Sequence, residues 1–203
     1  SLLDYYRYRC EELLREEGTA EELRLGPHDI EEINQELLDY YQRRVLFFRL
    51  GEYERARADA DHNLQLMDIL RDHAEDREAA LQQEQWRPFV LMDRARAEAL
   101  LDCQRSDAPS GLRALDRGIE EIADFYHFHR RDDLVAESQE IRVLNDLRYQ
   151  LREAYGLPLS SREMLAGLRE EQAQAIADED FERAARLRDE ISRLEDRSSA
   201  ESV

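Results

Sequence analysis

Two pairings of acid and histidine, and one pair of histidines, are the residues in this chain best placed to do chemistry. His127-Phe-His129 sets two imidazoles two residues apart, the beginning of a metal pair. On a helix that spacing points the rings to nearly opposite faces, so they diverge. Asp59-Ala-Asp-His62 and Asp124-Phe-Tyr-His127 each hold an acid and a histidine three apart. That spacing shares one helical face, as in the Glu-x-x-His pairs of di-iron bundles. Those centres also need two further inward glutamates, and in a chain with 48 acids an Asp-x-x-His arises easily by chance. A metal-dependent helical-bundle oxidase is therefore the enzymatic rival; the expectation is no catalytic residue, no metal and no other cofactor. Cys10 and Cys103 form no motif with each other or with the five histidines, which is a reduced, intracellular pattern. There is no Gly-rich phosphate loop and no Gly-x-Ser-x-Gly elbow. Tyr5, Tyr6, Tyr8, Tyr40, Tyr41, Phe47 and Phe48 could form a binding groove, but at helical spacing such aromatics are expected in the core.

The elements that must carry these residues are helices. The chain has 203 residues, 42% of them hydrophobic, with only 7 Gly and 4 Pro. At this length folding hides roughly 70% of the unfolded surface, enough for a real core. Few turn formers argue against an all-β fold and against general disorder. Acids outnumber bases 48 to 29, a net charge of −19, and every base is Arg. That balance excludes direct docking on nucleic acid or on an anionic membrane. No apolar run approaches the 18 residues of a membrane span, and a cytoplasmic protein is expected.

Leu2, Tyr6, Cys10 and Leu13 share the face of a first helix ending at Gly18. Ile30, Ile33, Leu37, Leu38, Tyr41, Val45 and Phe48 mark a second, ending at Gly51. A third begins near Glu52, and its stripe of Leu64, Met67, Leu70, Ala74 and Leu81 predicts one long helix up to Pro88. A fourth runs from about Pro88 to Cys103, a fifth carries Leu112 to Phe125, and a sixth spans Leu134 to Tyr155. The acidic runs Glu16–Glu22 and Asp72–Glu78 read as solvated faces, with recruitment of a basic partner as the alternative. Gly156-Leu-Pro-Leu-Ser160 is the clearest boundary, a linker over 156–160. Ser160 with Glu163 reads as a capping box, and Asp180 as the N-cap of a last helix. Leu165, Leu168 and Ile176 mark the apolar face of the helix between them, and Phe181, Ala184, Leu187, Ile191 and Leu194 that of the last. Residues 197–203 are expected to form a polar tail.

Two stretches resemble known families. Leu50-Gly-Glu-Tyr-Glu-Arg-Ala56-Arg-Ala-Asp-Ala60 resembles the turn and second helix of a tetratricopeptide (TPR) repeat. The resemblance implies that Gly51 opens the turn, Tyr53 packs between the helices and small Ala56 lets them approach. Arg44 stands where that family has a small residue, and Asn63 where it has a helix-packing Ala. Ala95–Phe125 looks like a second, degenerate hairpin. Leu168-Arg-Glu-Glu-Gln172 through Asp180-Phe181-Glu-Arg-Ala184-Ala185-Arg-Leu187-Arg188-Asp189-Glu-Ile191 is similar to the UVR motif. That helical hairpin occurs in the bacterial excision-repair proteins UvrB and UvrC, and in some Clp chaperone and arginine-kinase-activator proteins. Gln172 and Glu179 replace usual apolar residues.

The resulting expectation is an all-α protein: a TPR-like helical bundle over 1–155 and a UVR-type helical hairpin over 161–196. It is expected to be a bacterial, non-enzymatic interaction or adaptor protein. Its expected partner is another protein, a UVR-hairpin protein among the candidates, or a second copy of this chain through the C-terminal hairpin. The resemblance implies contact through Leu168, Gln172, Phe181, Ala184, Ala185, Leu187, Arg188, Asp189 and Ile191. An accessory role in nucleotide-excision repair, through a repair protein rather than DNA, is the alternative within that class.

Overall fold

The computed structural model describes residues 1–16, 18, 19, 23–159 and 161–200, and among them the fold is all-α, with no strand. The chain divides into two compact units, Ser1–Leu151 and Arg152–Val203. The division falls in the last turn of a helix, just before the expected linker. Ser160 and the side chain of Glu163, the expected capping box, lie outside the described residues, as does most of Glu16–Glu22.

In the first unit α1 (Leu2–Glu16) and α2 (Pro27–Leu50) are joined by a connection whose Leu25 is fully buried. α2, α3 (Tyr53–His73), α5 (Arg87–Gln104) and α6 (Ala108–Phe128) pack successively, α2 on α3, α3 on α5 and α5 on α6. Ile33, Leu66, Leu70, Leu115, Ile122 and Leu144 fill the interior.

The long third helix is broken. After α3 the chain extends through Ala74–Asp76 and restarts as α4 (Arg77–Glu84). Leu25 bridges Ala74, its N–H donating to His73 O (3.0 Å) and its carbonyl accepting from Glu75 N (3.1 Å). Asp76 then caps α4, accepting from the N–H groups of Glu78 and Ala79. Leu81, expected on the buried stripe, is 60% exposed. The sixth helix is likewise split, into α7 (Asp133–Glu137) and α8 (Gln139–Tyr155), where Ser138 Oγ accepts from Ile141 N–H (3.2 Å).

The α2–α3 turn uses Gly51 at φ 72°. Glu52 N–H reaches Phe47 O and Gly51 N–H reaches Phe48 O, the paired bonds of a Schellman ending. Ala56 is fully buried beyond it. Between α5 and α6 the backbones nearly touch. A Cβ on Gly118 would fall 2.3 Å from the Ala95 Cβ, and one on Gly111 would fall 2.8 Å from the Ala99 carbonyl oxygen.

The aromatic core is smaller than expected. Tyr6 is buried, but Tyr5, Tyr8 and Tyr41 are exposed. Tyr40, Phe47 and Phe48 are half-buried under guanidinium groups: Arg43 lies 4.1 Å from the Tyr40 ring centre, Arg55 4.7 Å from Phe47 and Arg96 4.8 Å from Phe48. Cation–π contact thus covers rings that apolar packing leaves open. No described helix is long and apolar enough to cross a membrane.

Candidate functional site

The second unit is built around α9 (Ser161–Ala177) and α10 (Phe181–Ala200), packed as an antiparallel hairpin. α10 runs past Arg197, where the polar tail was expected to begin, and residues 201–203 lie outside the described residues. The hairpin turn is specified twice. Glu179 takes the left-handed conformation, φ 58°, while Asp180 N–H bonds Ala175 O (2.8 Å) and Glu179 N–H bonds Ile176 O (3.1 Å). Asp180 Oδ1 then accepts from Arg183 N–H (3.0 Å), the expected N-cap.

The interior of the hairpin is narrow. Ala175, Ala184 and Leu187 form its centre, with Leu168 packed against them. Ile191 is also buried. Small side chains at 175 and 184 allow the two helices to come close, as the motif resemblance implies. Gln172 faces this seam rather than solvent, donating from Nε2 to the Ala184 carbonyl (3.3 Å). The rims are tied by Arg169–Glu195 (2.7 Å) and Arg183–Glu171 (3.1 Å), both well exposed.

The apolar faces differ from the spacing-based expectation at two positions. Ile176 is 53% exposed, because Ala175 takes the inward position, and Phe181 is 69% exposed as the first residue of α10. Ala185 is also exposed, and Arg188 and Asp189 pair with each other at the surface (2.8 Å). The nine residues named from the motif therefore separate. Leu168, Gln172, Ala184, Leu187 and Ile191 are taken up inside the hairpin; Phe181, Ala185, Arg188 and Asp189 face outward. Asp178, Glu179, Asp180 and Glu182 surround Ile176 and Phe181 in sequence, and all are exposed.

The other candidate chemistry is absorbed by the first unit. Asp59 is buried and takes Arg43 in a two-pronged pair (2.5 and 2.8 Å). His62 stacks on Tyr40 with ring centres 3.6 Å apart, and its Nε2 lies 2.8 Å from Glu36. Burial holds the His62 ring below its ordinary 6.5, against the opposing pull of Glu36. His127 pairs with Asp132 and His129 leans on Phe125, so the two imidazoles serve different neighbours. No group of three or more potential ligands capable of holding a metal ion occurs among the described residues. Cys10 lies 3.9 Å from His73 Nε2, a proximity invisible in the sequence spacing. Burial pushes its thiol up, the reverse of what an activated nucleophile needs.

The feature that spacing could not supply is a buried ion pair. Arg44, singled out for standing at a small-residue position, is fully buried and donates from Nε to Asp93 Oδ2 (2.9 Å) on α5. Asp93 also accepts from Arg96 (3.1 Å). Asn63, the second oddity, donates to the Leu37 carbonyl (3.0 Å).

Comparison with the curated proteins and with the solved structures gives no match. A family model described as the UvrB/uvrC motif matches residues 162–197, so the chain carries a UVR motif in its C-terminal hairpin.

Proposed function

We propose that this is a non-enzymatic adaptor that binds another protein through its UVR hairpin, the Ser1–Leu151 unit acting as a TPR-like scaffold. The observation that carries the reading is the exposure of Phe181 and Ile176 on a hairpin whose own interior is already filled by Ala175, Ala184 and Leu187. Large apolar side chains left outside a satisfied core are what an interaction surface offers. Their acidic surroundings suit an apolar partner patch rimmed by basic residues, and disfavour meeting the same tip of a second copy. The scaffold half rests on the Gly51 turn, the buried Ala56 and the successive packing of α2, α3, α5 and α6. An accessory role in excision repair is the second reading, favoured by the motif match itself.

The test is affinity capture from the cell of origin with the full chain as bait, beside a Phe181→Ser/Ile176→Ser bait. Both substitutions remove exposed side chains, so circular dichroism should be unchanged. Proteins retained by the parent bait and lost from the double variant support the hairpin as the binding surface. Identical retained sets would refute it, and a repair protein among those lost would select the second reading.

A further inference from the structure

The C-terminal half of α2 turns an unusual face to solvent. Leu46 is 55% exposed and Leu50 72%, one helical turn apart, so they form a single apolar strip. Exposed Arg43 and Arg49 lie a turn to either side of Leu46, and exposed Arg55 stands beyond the Gly51 turn. Arg43 and Arg55 both cover the Phe47 ring, 5.8 and 4.7 Å from its centre, which keeps their guanidinium groups beside the strip. From Gln42 to Arg57 arginines outnumber acids five to two, in a chain where acids outnumber bases 48 to 29. The acids beyond the turn are met: Glu52 by Arg55 (3.5 Å) and Glu54 by Arg105 (3.4 Å). Asp39, two turns before Leu46, accepts from Gln35 (2.8 Å). Arg43 spends its charge on buried Asp59, whereas Arg49 has no ion pair among the described residues. The strip is thus apolar with a surplus of positive charge, the reverse of the chain as a whole.

The hairpin tip is the opposite case. Ile176 and Phe181 are exposed there among four exposed acids, Asp178, Glu179, Asp180 and Glu182. The basic residue next in sequence, Arg183, is engaged by Glu171 (3.1 Å). Two tips repel each other, and so do two α2 faces through Arg49. A tip set on an α2 face brings apolar surface onto apolar surface and acid onto arginine. We propose that the hairpin tip binds a second copy of this chain, received head to tail on the Leu46–Leu50 face of α2. This rests on the reading of the tip as a binding surface and adds what it binds. The two patches differ, so the contact is heterologous: a copy whose tip is engaged still offers its own face, and copies add in series unless a ring closes. Patches of this size make a weak, transient contact.

The purified full chain is followed by sedimentation velocity over a concentration series, beside a tip variant (Phe181→Ser/Ile176→Ser), a face variant (Leu46→Gln/Leu50→Gln) and Arg49→Glu. All the substituted side chains are exposed, so circular dichroism should be unchanged. The average mass of the parent should rise through the micromolar range and fall back as added salt screens the contact. Each double variant should stay monomeric, and Arg49→Glu should weaken association about tenfold. Mixing the tip and face variants leaves one intact tip and one intact face, so a pair of twice the single-chain mass should form and grow no further. A parent or a mixture that stays monomeric would overturn the proposal. Association lost only in the tip variant would overturn α2 as the receiving face, and association lost only in the face variant would replace the tip by α2 meeting α2. A monomeric parent whose tip variant still loses proteins in affinity capture would overturn the second copy and leave the tip as a surface for another protein.

Discussion

Inside the Ser1–Leu151 unit, Arg44, Asp59, Glu84 and Asp93 are each no more than 5% exposed, and helices meet through charge as well as hydrocarbon. Inside the hairpin the interior is alanine, leucine and isoleucine with the Gln172 amide at the seam but no charge, and the described ion pairs all lie on the surface. The difference teaches where each region keeps its specificity. A buried charged group tolerates few alternative partners, so the bundle is held to one arrangement of α2, α3 and α5. The hairpin uses its few apolar residues to close on itself and keeps Phe181 and Ile176 outside, available to something else.

The sharpest way to break this comparison is to remove one charge from each region. Asp93→Ala leaves Arg44 buried without its carboxylate and should cost about 3–5 kcal/mol in urea unfolding. Arg169→Ala, which opens the exposed pair with Glu195, should cost less than about 1 kcal/mol. Equal losses would erase the distinction between the two regions. Size is the next lever. Ala56→Leu and Gly118→Ala each force a side chain into a closed helix contact and should destabilise by roughly 1–3 kcal/mol. Ala185→Leu, on the open face of α10, should stay within about 0.5 kcal/mol. An unchanged melting temperature for Ala56→Leu would show that the α2–α3 contact is looser than its full burial implies.

Much of this was legible in the residues, and the failures have physical causes. Helical periodicity and the glycines at 51 and 156 located most helices, because those signals are local. The break between α3 and α4 leaves little trace in the spacing because it is imposed by Leu25, which pairs with Ala74 from just before α2; the Asp76 cap is its local sign. Arg44 stood out as misplaced, yet nothing in spacing could name a partner 49 residues away. At the site, the apolar stripe of α10 placed Ala184, Leu187 and Ile191 correctly on the buried side. It misplaced Phe181 because that residue precedes the first full turn facing α9, and Ile176 because Ala175 is the one that meets α10.

A smaller effect sharpens the hairpin side. Glu179 is held at φ 58°, a conformation costing a side chain about 1 kcal/mol that glycine avoids. Glu179→Gly should therefore slow hydrogen exchange in α10 by a few-fold, while Gly51→Ala loosens the α2–α3 turn of the bundle. The smallest effect concerns pH. The neutral His62 ring is favoured by the fold, so its contribution is complete above the ordinary 6.5 and is lost as pH falls through the lowered folded value. Glu36 and Asp59 oppose that loss and Arg43 adds to it. A His62→Gln variant should lose less stability between pH 7.5 and 5.5 than the parent, by thermal unfolding; identical slopes would mean that His62 contributes nothing to it.

The near contact of α5 and α6 also sets an order of events in time. Gly111 and Gly118 meet Ala99 and Ala95 across a short connection, so closing that contact costs little chain entropy. The Arg44–Asp93 pair closes a far larger loop and brings in a helix formed earlier in the chain. The α5–α6 hairpin should accordingly be the nucleus onto which α3 and then α2 condense. Gly118→Ala should act mainly by slowing refolding, and Asp93→Ala mainly by speeding unfolding. The first half of the chain to leave the ribosome would then wait, partly open, for residues that follow it.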